Sequence, residues 1–339
     1  MSVSLEPYLA AVPEPVVRRL CDARRILSVT HENPDADTLG SALAVCRITE
    51  ALGATATPIC TDPIPPLYGY LPGVERFRTD PDPNGKYDLL VISDCGSLDR
   101  IGAVRERNRA LFEGLPSIVI DHHASNAAMA TTDWVDPDSS ATCEMTALLA
   151  VRLGIPLDEG AGALATALMS GIVMDTATFA HPNTTPRTLS VAAALVDAGA
   201  PLSDISRRLY RTKPDAQLRL FGRVLDRLET AADGRIVWST LTDADITATR
   251  SLPAYAEGII DLLAQAEDAE VAILFKEAEN GTRVSVRTRP NGVDATVLTG
   301  RFGGGGHARA AGATVERPLD QARTAVLAEA ERLVSAVAR

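Results

Sequence analysis

The chain has 339 residues and a formal net charge of −11. A chain of this length is expected to form two domains, because single hydrophobic cores stop growing at about 250 to 300 residues. The negative charge excludes general affinity for long nucleic acids, which depends on Lys and Arg neutralising phosphates.

The five cysteines are odd in number and form no CxxC pair. This is typical of free thiols in a reducing compartment. The N-terminal segment has Glu6 and several prolines in place of the basic start and long apolar stretch of a secretion signal. The apolar run over 160–174 is too short and too rich in glycine to span a membrane. We therefore expect a soluble, cytoplasmic protein without a membrane partner.

The first 200 residues alternate short β-rich runs with longer helical patterns, which is typical of an α/β domain with a mainly parallel sheet. The clearest predicted strands are 26–30, 89–93 and 117–120. A potential ligand follows each of them: His31, Asp94 and the sequence Asp121-His122-His123. Open α/β proteins bind ligands at the carboxyl edge of the sheet, so we expect these side chains to lie close together there.

Two further aspartates, Asp35 and Asp37, lie between the first strand and a predicted helix over 39–52. A plain helix N-cap would explain one of them, since carboxylates are favoured at helix starts. The combination of His31 with two aspartates favours a ligand cluster. Pro34 stiffens the turn that carries it.

Imidazole and carboxylate ligands together suit Mn²⁺, Zn²⁺ or Fe²⁺, and the absence of a nearby cysteine argues against a structural zinc site. Adjacent histidines on a strand would face opposite sides, so we expect His122 and His123 to lie in a turn, with one binding metal and one facing substrate. Asp175 ends the apolar run over 164–174, where a buried carboxylate needs a partner or a metal. A turn at a helix end would also explain Asp175.

A connector helix is predicted after Pro214, where Leu218, Phe221, Leu225 and Leu228 recur at helical spacing. Beyond it, β-rich and helical runs predict a smaller α+β domain, with strands over 236–241, 271–275 and 284–288 and helices over 254–266 and 319–337. We place the first domain at 1–200, the connector at 201–232 and the second domain at 233–339.

Four glycines precede His307 in the second domain, and they would let backbone amides approach an anion closely. A flexible hairpin would also explain them. Upstream, Arg287 and Arg289 alternate with apolar residues, so a strand would place both guanidinium groups on one face. Arginine suits phosphate, so this region could bind a short phosphorylated ligand despite the acidic chain.

These motifs resemble those of the DHH phosphoesterase family with a C-terminal DHHA1 domain, in particular its short nanoRNase or oligoribonuclease members. The resemblance covers nearly the whole chain. Its motifs are HxxxDxD from His31, Asp94, the sequence Asp121-His122-His123, GIxxDT around Asp175, and GGGGH ending at His307.

The resemblance implies two divalent ions, Mn²⁺ or otherwise Mg²⁺ or another divalent ion. One ion would be held by His31, Asp35 and Asp94. The second would be held by Asp37, Asp94, His122 and Asp175, with Asp94 bridging. His123 would contact the scissile phosphate, and Asp121 would orient a ligand. The implied substrate-binding residues are Arg287, Thr288, Arg289, Gly304, Gly305, Gly306 and His307. The family's Arg-Ser pair reads Arg287-Thr288 here.

The implied activity is hydrolysis of short oligoribonucleotides or dinucleotides to 5'-mononucleotides, and of 3'-phosphoadenosine 5'-phosphate to AMP. Cleavage of a cyclic dinucleotide or its linear product is the alternative. A family II pyrophosphatase would carry a different second domain, a RecJ-like exonuclease would be larger, and a non-catalytic nucleotide sensor would usually have lost ligands. The expected partners are short RNA or DNA and small nucleotides, and a homodimer is left open.

Overall fold

The computed structural model describes residues 3–126, 129–290 and 292–337. The chain divides into two compact units, Met1–Thr212 and Lys213–Arg339. Each unit is built on its own β-sheet, and helices pack against it. The predicted fold class, a parallel α/β domain followed by a smaller α+β domain, is confirmed. The finer boundaries at residues 200 and 232 stay predictions.

The sheet of the first unit is parallel throughout, with the strand order β2-β1-β3-β4-β5 among the described residues. The strands are β1 (Arg25–Val29), β2 (Thr55–Ile59), β3 (Leu89–Ser93), β4 (Ser117–Asp121) and β5 (Thr132–Val135). The central strand β3 is buried along its whole length. Strands that are covered on both faces read as continuous apolar runs, which explains why β1, β3 and β4 could be predicted.

Helices cover both faces of this sheet. They are α1 (Glu14–Asp22), α2 (Ala36–Ala51), α3 (Ala103–Arg107), α4 (Arg109–Gly114), α5 (Thr142–Arg152), α6 (Ala163–Asp175), α7 (Pro186–Asp197) and α8 (Leu202–Ser206). Residues of α2, α5 and α6 form the larger core on one face. The other face is covered by α3 and α4 through Val104 and Phe112.

Helices α2 and α6 pack closely because glycines lie at their contact. A Cβ at Gly40 would overlap the carbonyl oxygen of Ala167, and a Cβ at Gly171 would overlap the carboxylate of Asp37 and the sulfur of Cys143. Any larger residue at these positions would push the helices apart. The close approach brings the start of α2 near the end of α6.

The second unit has a mixed sheet with the strand order β10-β11-β9-β8-β7-β6 among the described residues. The strands are β6 (Glu229–Ala231), β7 (Ile236–Leu241), β8 (Val271–Ala278), β9 (Gly281–Thr288), β10 (Gly305–His307) and β11 (Ala310–Val315). The helices are α9 (Asp215–Asp226), α10 (Asp243–Thr249), α11 (Ile259–Leu263), α12 (Ala295–Gly300) and α13 (Leu319–Val337). Residues of α9 and α11 contribute to the core on one face of the sheet, and residues of α12 and α13 to the core on the other.

The helix predicted over 254–266 is wrong as one continuous element. A short 3₁₀ turn, Pro253–Ala256, is followed by α11, and Gly258 between them has φ +86°. This left-handed backbone cannot continue a right-handed helix.

The predicted connector helix forms as α9, but the residues on its buried face are not the ones predicted. Phe221 is buried together with Leu220 and Val224, whereas Leu218, Leu225 and Leu228 are exposed. Among the described residues, no single helix is long and apolar enough to span a membrane. The segments Pro186–Asp197 and Leu202–Arg211 are long and apolar enough only when taken together, and the chain bends by 114° between them.

Candidate metal centre and substrate-binding residues

Strands β1, β3 and β4 end at the same edge of the parallel sheet, and the next residues supply the first part of the cluster. His31 follows β1 after one residue, Asp94 follows β3 directly, and His122 follows Asp121 at the end of β4. Asp94 has φ +57°, a left-handed conformation that aspartate tolerates better than most residues. Histidines 122 and 123 lie beyond the strand, as expected.

Asp35 is both a helix cap and a candidate ligand. Its Oδ1 accepts hydrogen bonds from the backbone N–H groups of Asp37 and Thr38 at 2.9 and 3.1 Å, which begins helix α2. Its Oδ2 lies 3.9 Å from Nε2 of His31. The N-cap and ligand interpretations are therefore compatible, because one carboxylate has two oxygens.

Asp37 is fully buried in the first turn of α2. Its two carboxylate oxygens accept hydrogen bonds from the backbone N–H groups of Thr142 and Cys143, at 2.7 and 2.9 Å, at the start of α5. Burial raises the pKa of Asp37, and the neighbouring carboxylate of Asp35 raises it further. The helix start offsets part of the cost of burying this charge.

Asp94 lies at the centre of the cluster and is 2% exposed. Its carboxylate oxygens lie 3.6 Å from Nε2 of His31, Nε2 of His122 and Nδ1 of His123. Thr142 donates a hydrogen bond to Oδ1 at 3.2 Å. Burial raises the pKa of Asp94 well above its usual range, and the surrounding carboxylates act in the same direction. A cation at this position would favour the ionised carboxylate.

Backbone carbonyls orient the two histidines that have their Nε2 atoms in the cluster. Nδ1 of His31 lies 2.6 Å from the carbonyl oxygen of Glu32, and Nδ1 of His122 lies 3.3 Å from that of Ser139. An Nδ1–H that donates to a carbonyl leaves Nε2 with its lone pair, which is the form that binds metals.

His122 also contacts Asp175, the last residue of α6, with 3.2 Å between Nε2 and Oδ2. Burial acts to lower the pKa of His122, but the hydrogen bond with Asp175 and the charge of Asp37 raise it to about 9. Burial raises the pKa of Asp175 to about 7. These neighbours favour the protonated form of His122 in the metal-free protein, and binding a metal through Nε2 would require loss of that proton.

His123 is held by Asp121 at the more exposed side of the cluster. Nδ1 of His123 lies 2.7 Å from Oδ1 of Asp121, and Asn126 donates a hydrogen bond to Oδ2 at 2.6 Å. Burial acts to raise the pKa of Asp121, but these hydrogen bonds lower it overall. Asp121 is therefore an ionised, fully buried carboxylate that fixes the imidazole of His123.

Three groups of donor atoms among the described residues have the spacing of a metal site, with all atoms of a group within 4.8 Å of one another. The groups are His31, Asp35 and Asp94; Asp94, His122 and His123; and Asp37, His122 and Asp175. Asp94 belongs to the first two groups, but not to the third, which contains Asp37 and Asp175. A bridging role for Asp94 stays a prediction. The oxygen and imidazole donors suit a divalent cation.

Two polar contacts of the cluster were not predicted from the sequence. Thr142 binds Asp94 through its hydroxyl group, and Asn126 binds Asp121 through its amide. Ser139 and Ser140 precede α5 and Thr142 is its first residue, and this composition indicates a helix start. Nothing in the local sequence indicated that this helix start would lie against Asp37 and Asp94.

In the second unit, Arg287 and His307 lie on one face of the sheet. Both pair with Ala310 of the intervening strand β11, so their side chains project to the same side. Nε of Arg287 donates to Asp261 of α11 at 2.9 Å. Arg289 lies beyond the end of β9 and donates to the carbonyl oxygen of Ala266 at 2.9 Å. The guanidinium group of Arg287 thus contacts α11, and that of Arg289 contacts the segment that follows α11.

The glycines before His307 have different structural roles. A Cβ at Gly304 would overlap the carbonyl oxygen of Gly312, and Gly306 has φ +142° and lies close to Ala310. Gly305 has no heavy atom within 4 Å of the position of a Cβ and no such backbone constraint. Thr288, next to this region, donates to the carbonyl oxygen of Ala308 at 3.1 Å. Packing therefore explains Gly304 and Gly306, but not Gly305.

Known proteins share both units. The DHH family, N-terminal domain, matches residues 25–172, and the DHHA1 domain matches residues 252–336. The bifunctional oligoribonuclease and PAP phosphatase NrnA of Thermus thermophilus is 34% identical over 303 residues, which cover 89% of this chain and 88% of that protein. The protein of the same name from Bacillus subtilis is 27% identical over 297 residues, covering 84% and 87%.

The fold also matches the crystal structure of an exopolyphosphatase-related protein from Bacteroides fragilis, with a TM-score of 0.85 and 21% sequence identity. The match covers 96% of this chain and 98% of that chain. The sequence identity to the Thermus protein over nearly the full length of both chains establishes the family. The chain belongs to the DHH family of phosphoesterases, which are hydrolases acting on phosphoester bonds.

Proposed function

We propose that the protein hydrolyses short oligoribonucleotides and dinucleotides to 5'-mononucleotides, and 3'-phosphoadenosine 5'-phosphate to AMP, with two divalent ions, preferably Mn²⁺. The observation that carries this proposal is the buried cluster of carboxylates and imidazoles around Asp94. The two NrnA relatives support the choice of substrates, since their names state both activities.

The residues of the cluster fit a two-metal centre. Asp37, Asp94 and Asp175 all have raised pKa values because they are buried close together. Carboxylates crowded in this way are costly unless cations balance them. We assign one ion to His31, Asp35 and Asp94, and the other to Asp37, Asp94, His122 and Asp175. Two bound ions would lower the pKa of an attacking water and neutralise charge on the phosphate oxygens.

His123 is the proposed contact to the scissile phosphate. Its Nδ1 is held by Asp121, which leaves Nε2 available to a phosphate oxygen. Its side chain is 36% exposed, compared with 3% for His31. A proton on Nε2 would let the imidazole donate a hydrogen bond to the phosphate or to the leaving oxygen. Asp121 is therefore assigned as the residue that orients His123.

The second unit is the proposed substrate-binding region. Arg287 and His307 project from one face of the sheet, and Gly305, two residues before His307 on β10, leaves space above the backbone. A phosphate or a nucleotide could contact the guanidinium and imidazole groups there. Thr288, Arg289, Gly304 and Gly306 complete the proposed set. Arg289 would act mainly by shaping this surface, because its side chain already binds the carbonyl oxygen of Ala266. Gly304 and Gly306 would also shape it, because packing fixes their backbone positions.

The test is turnover by the purified protein with Mn²⁺ of a dinucleotide, a long RNA, 3'-phosphoadenosine 5'-phosphate, a cyclic dinucleotide and pyrophosphate, followed by chromatography. We expect rapid conversion of the dinucleotide and of 3'-phosphoadenosine 5'-phosphate, with the long RNA almost unchanged. Turnover of only the cyclic compound or only pyrophosphate would contradict the substrate assignment. An absence of turnover for all five would contradict the proposed activity.

A further inference from the structure

The carboxyl end of helix α6 is held by side chains from later segments of the first unit. The tyrosine hydroxyl of Tyr210 donates to the carbonyl oxygen of Met174 at 2.6 Å and lies 3.4 Å from that of Val173. The amide of Asn183 donates to the carbonyl oxygen of Asp175 at 3.3 Å, and Nδ1 of His181 lies 3.1 Å from the same oxygen. These contacts surround the last turn of α6, which carries Asp175.

Tyr210 reaches this position from an unusual backbone. Residues Arg207–Arg211 form a π-helical turn that continues α8. Such turns are rare, and they often occur at functional sites because they redirect one side chain. Here the turn places the hydroxyl of Tyr210 against the residue immediately before a candidate metal ligand.

Asn183 connects α6 to the loop behind His122. Its amide donates to the carbonyl oxygen of Ser140 at 3.0 Å as well as to that of Asp175. The neighbouring carbonyl oxygen of Ser139 contacts Nδ1 of His122. The side chain of Asn183 thus binds the backbone of Asp175 and also the backbone beside the carbonyl group that contacts His122.

The chain directly after Asp175 has a strained backbone. Ala177, Thr178 and Phe179 have φ values of +47°, +58° and +66°. Residues other than glycine adopt this left-handed backbone at a cost, and they persist in it only where their surroundings hold it. The hydroxyl groups of Thr178 and Ser206 are 3.0 Å apart, so helix α8 contacts the strained turn directly. The end of α6 is therefore enforced by its neighbours rather than left to an ordinary helix end.

We propose that Tyr210 and Asn183 are positioning residues of the metal centre. They hold the last carbonyl groups of α6 so that the carboxylate of Asp175 stays at His122 and faces Asp37. Neither side chain is assigned as a ligand. This inference rests on the proposed metal centre, and it predicts that the two residues act on metal affinity through Asp175.

The test compares Tyr210→Phe with Tyr87→Phe, measuring Mn²⁺ affinity by calorimetry, thermal unfolding without metal, and dinucleotide turnover. Tyr87 is a matched control, because its hydroxyl accepts a hydrogen bond from the backbone N–H of Asp82 at 3.1 Å in the same unit. Tyr210→Phe is expected to weaken the affinity for Mn²⁺ about tenfold, the usual effect of losing a group that orients a ligand. Excess Mn²⁺ should restore kcat, while the KM for the dinucleotide stays unchanged.

Asn183→Asp is the second variant, since it keeps the shape but replaces the amide donor with an acceptor that faces two carbonyl oxygens. It should also weaken Mn²⁺ binding. Normal Mn²⁺ affinity in both variants would overturn the proposal, even if both unfold at lower temperature, because that result indicates a purely structural role. If the wild-type protein binds no Mn²⁺, the metal centre itself is refuted, and this inference with it.

Discussion

The two units present their functional residues in different ways. In the first unit, Asp37, Asp94 and Asp121 are fully buried or nearly so, and each is hydrogen-bonded by neighbouring groups. In the second unit, Arg287 and His307 lie on a partly exposed face of a sheet, and Gly305 leaves space beside His307. A reacting centre needs fixed geometry, whereas the surface that we propose for substrate binding needs open space.

This difference predicts where substitutions are tolerated. Changes at Asp37, Asp94 and Asp175 should remove activity without a comparable loss of stability, because these crowded, buried carboxylates oppose folding in the absence of metal. Changes in the second unit should affect substrate binding or folding according to the packing of each position.

Asp94→Asn is expected to reduce dinucleotide turnover by about a thousandfold or more, since it removes the proposed bridging ligand. The metal-free protein should unfold at a higher temperature at pH 7, because the raised pKa of Asp94 means that its ionised form disfavours folding. Turnover and thermal unfolding without metal check both expectations. Asp22→Asn, in an exposed position at the end of α1, is the control and should change neither.

Gly304→Ala and Gly305→Val separate packing from substrate binding in the second unit. Gly304→Ala should cost about 1 to 3 kcal/mol of stability, because its Cβ would overlap Gly312. Gly305→Val should leave stability within about 0.5 kcal/mol. It should raise the KM for the dinucleotide about tenfold, since it fills the open space beside His307. Denaturant unfolding and steady-state kinetics distinguish the two effects, and an unchanged KM in Gly305→Val would remove this surface from the proposed substrate site.

The second unit also has a buried carboxylate, and here it should stabilise the fold. Asp245 accepts hydrogen bonds from Arg223 at 2.8 Å, from Arg227, and from the hydroxyl of Thr242 at 2.9 Å. Burial acts to raise the pKa of Asp245, but these donors lower it well below its usual range. Asp245→Asn should cost about 2 to 3 kcal/mol at pH 7.

The pH dependence of unfolding checks the sign of this effect. A carboxyl group whose pKa is depressed by folding contributes its full stability above its unfolded pKa, and that contribution is lost as the pH falls toward the folded pKa. The wild-type protein should therefore lose more stability than Asp245→Asn below about pH 4. Parallel pH profiles for the two proteins would contradict this assignment.

The smallest expected effect is that of Ala177→Gly in the strained turn after Asp175. Glycine adopts positive φ at little cost, so the substitution should stabilise the metal-free protein by about 1 kcal/mol. Thermal unfolding measures the change. Destabilisation would show that the methyl group of Ala177 contributes more than its backbone strain costs.

The sequence predicted which polar residues meet at the edge of the first sheet better than it predicted the contacts of the second unit, for physical reasons. Strands β1, β3 and β4 are buried on both faces, so their apolar runs and the polar residue after each run stand out. Strand β2 lies at the sheet edge and contains Pro58, so its sequence lacks the continuous apolar run that predicts a buried strand. The continuous apolar run over 164–174 lies within α6, although no helix was predicted there.

Contacts between distant segments could not be predicted. The hydrogen bonds of Thr142 with Asp94 and of Tyr210 with Met174 join residues 48 and 36 positions apart. Sequence periodicity reports which face of an element is buried, but it does not report which element covers that face. For the same reason, the contact between Arg287 and Asp261 was not expected from the alternating pattern of β9.

Diffraction at the manganese absorption edge, from crystals of the full chain soaked in MnCl₂, would show whether the residues around Asp94 bind metal. We expect two anomalous peaks in the first unit, one among His31, Asp35 and Asp94, and one among Asp37, His122 and Asp175. Asp94 should lie between the two peaks. Manganese bound elsewhere, or no bound manganese in crystals of protein that turns over a dinucleotide, would contradict the assignment of this cluster as the metal centre.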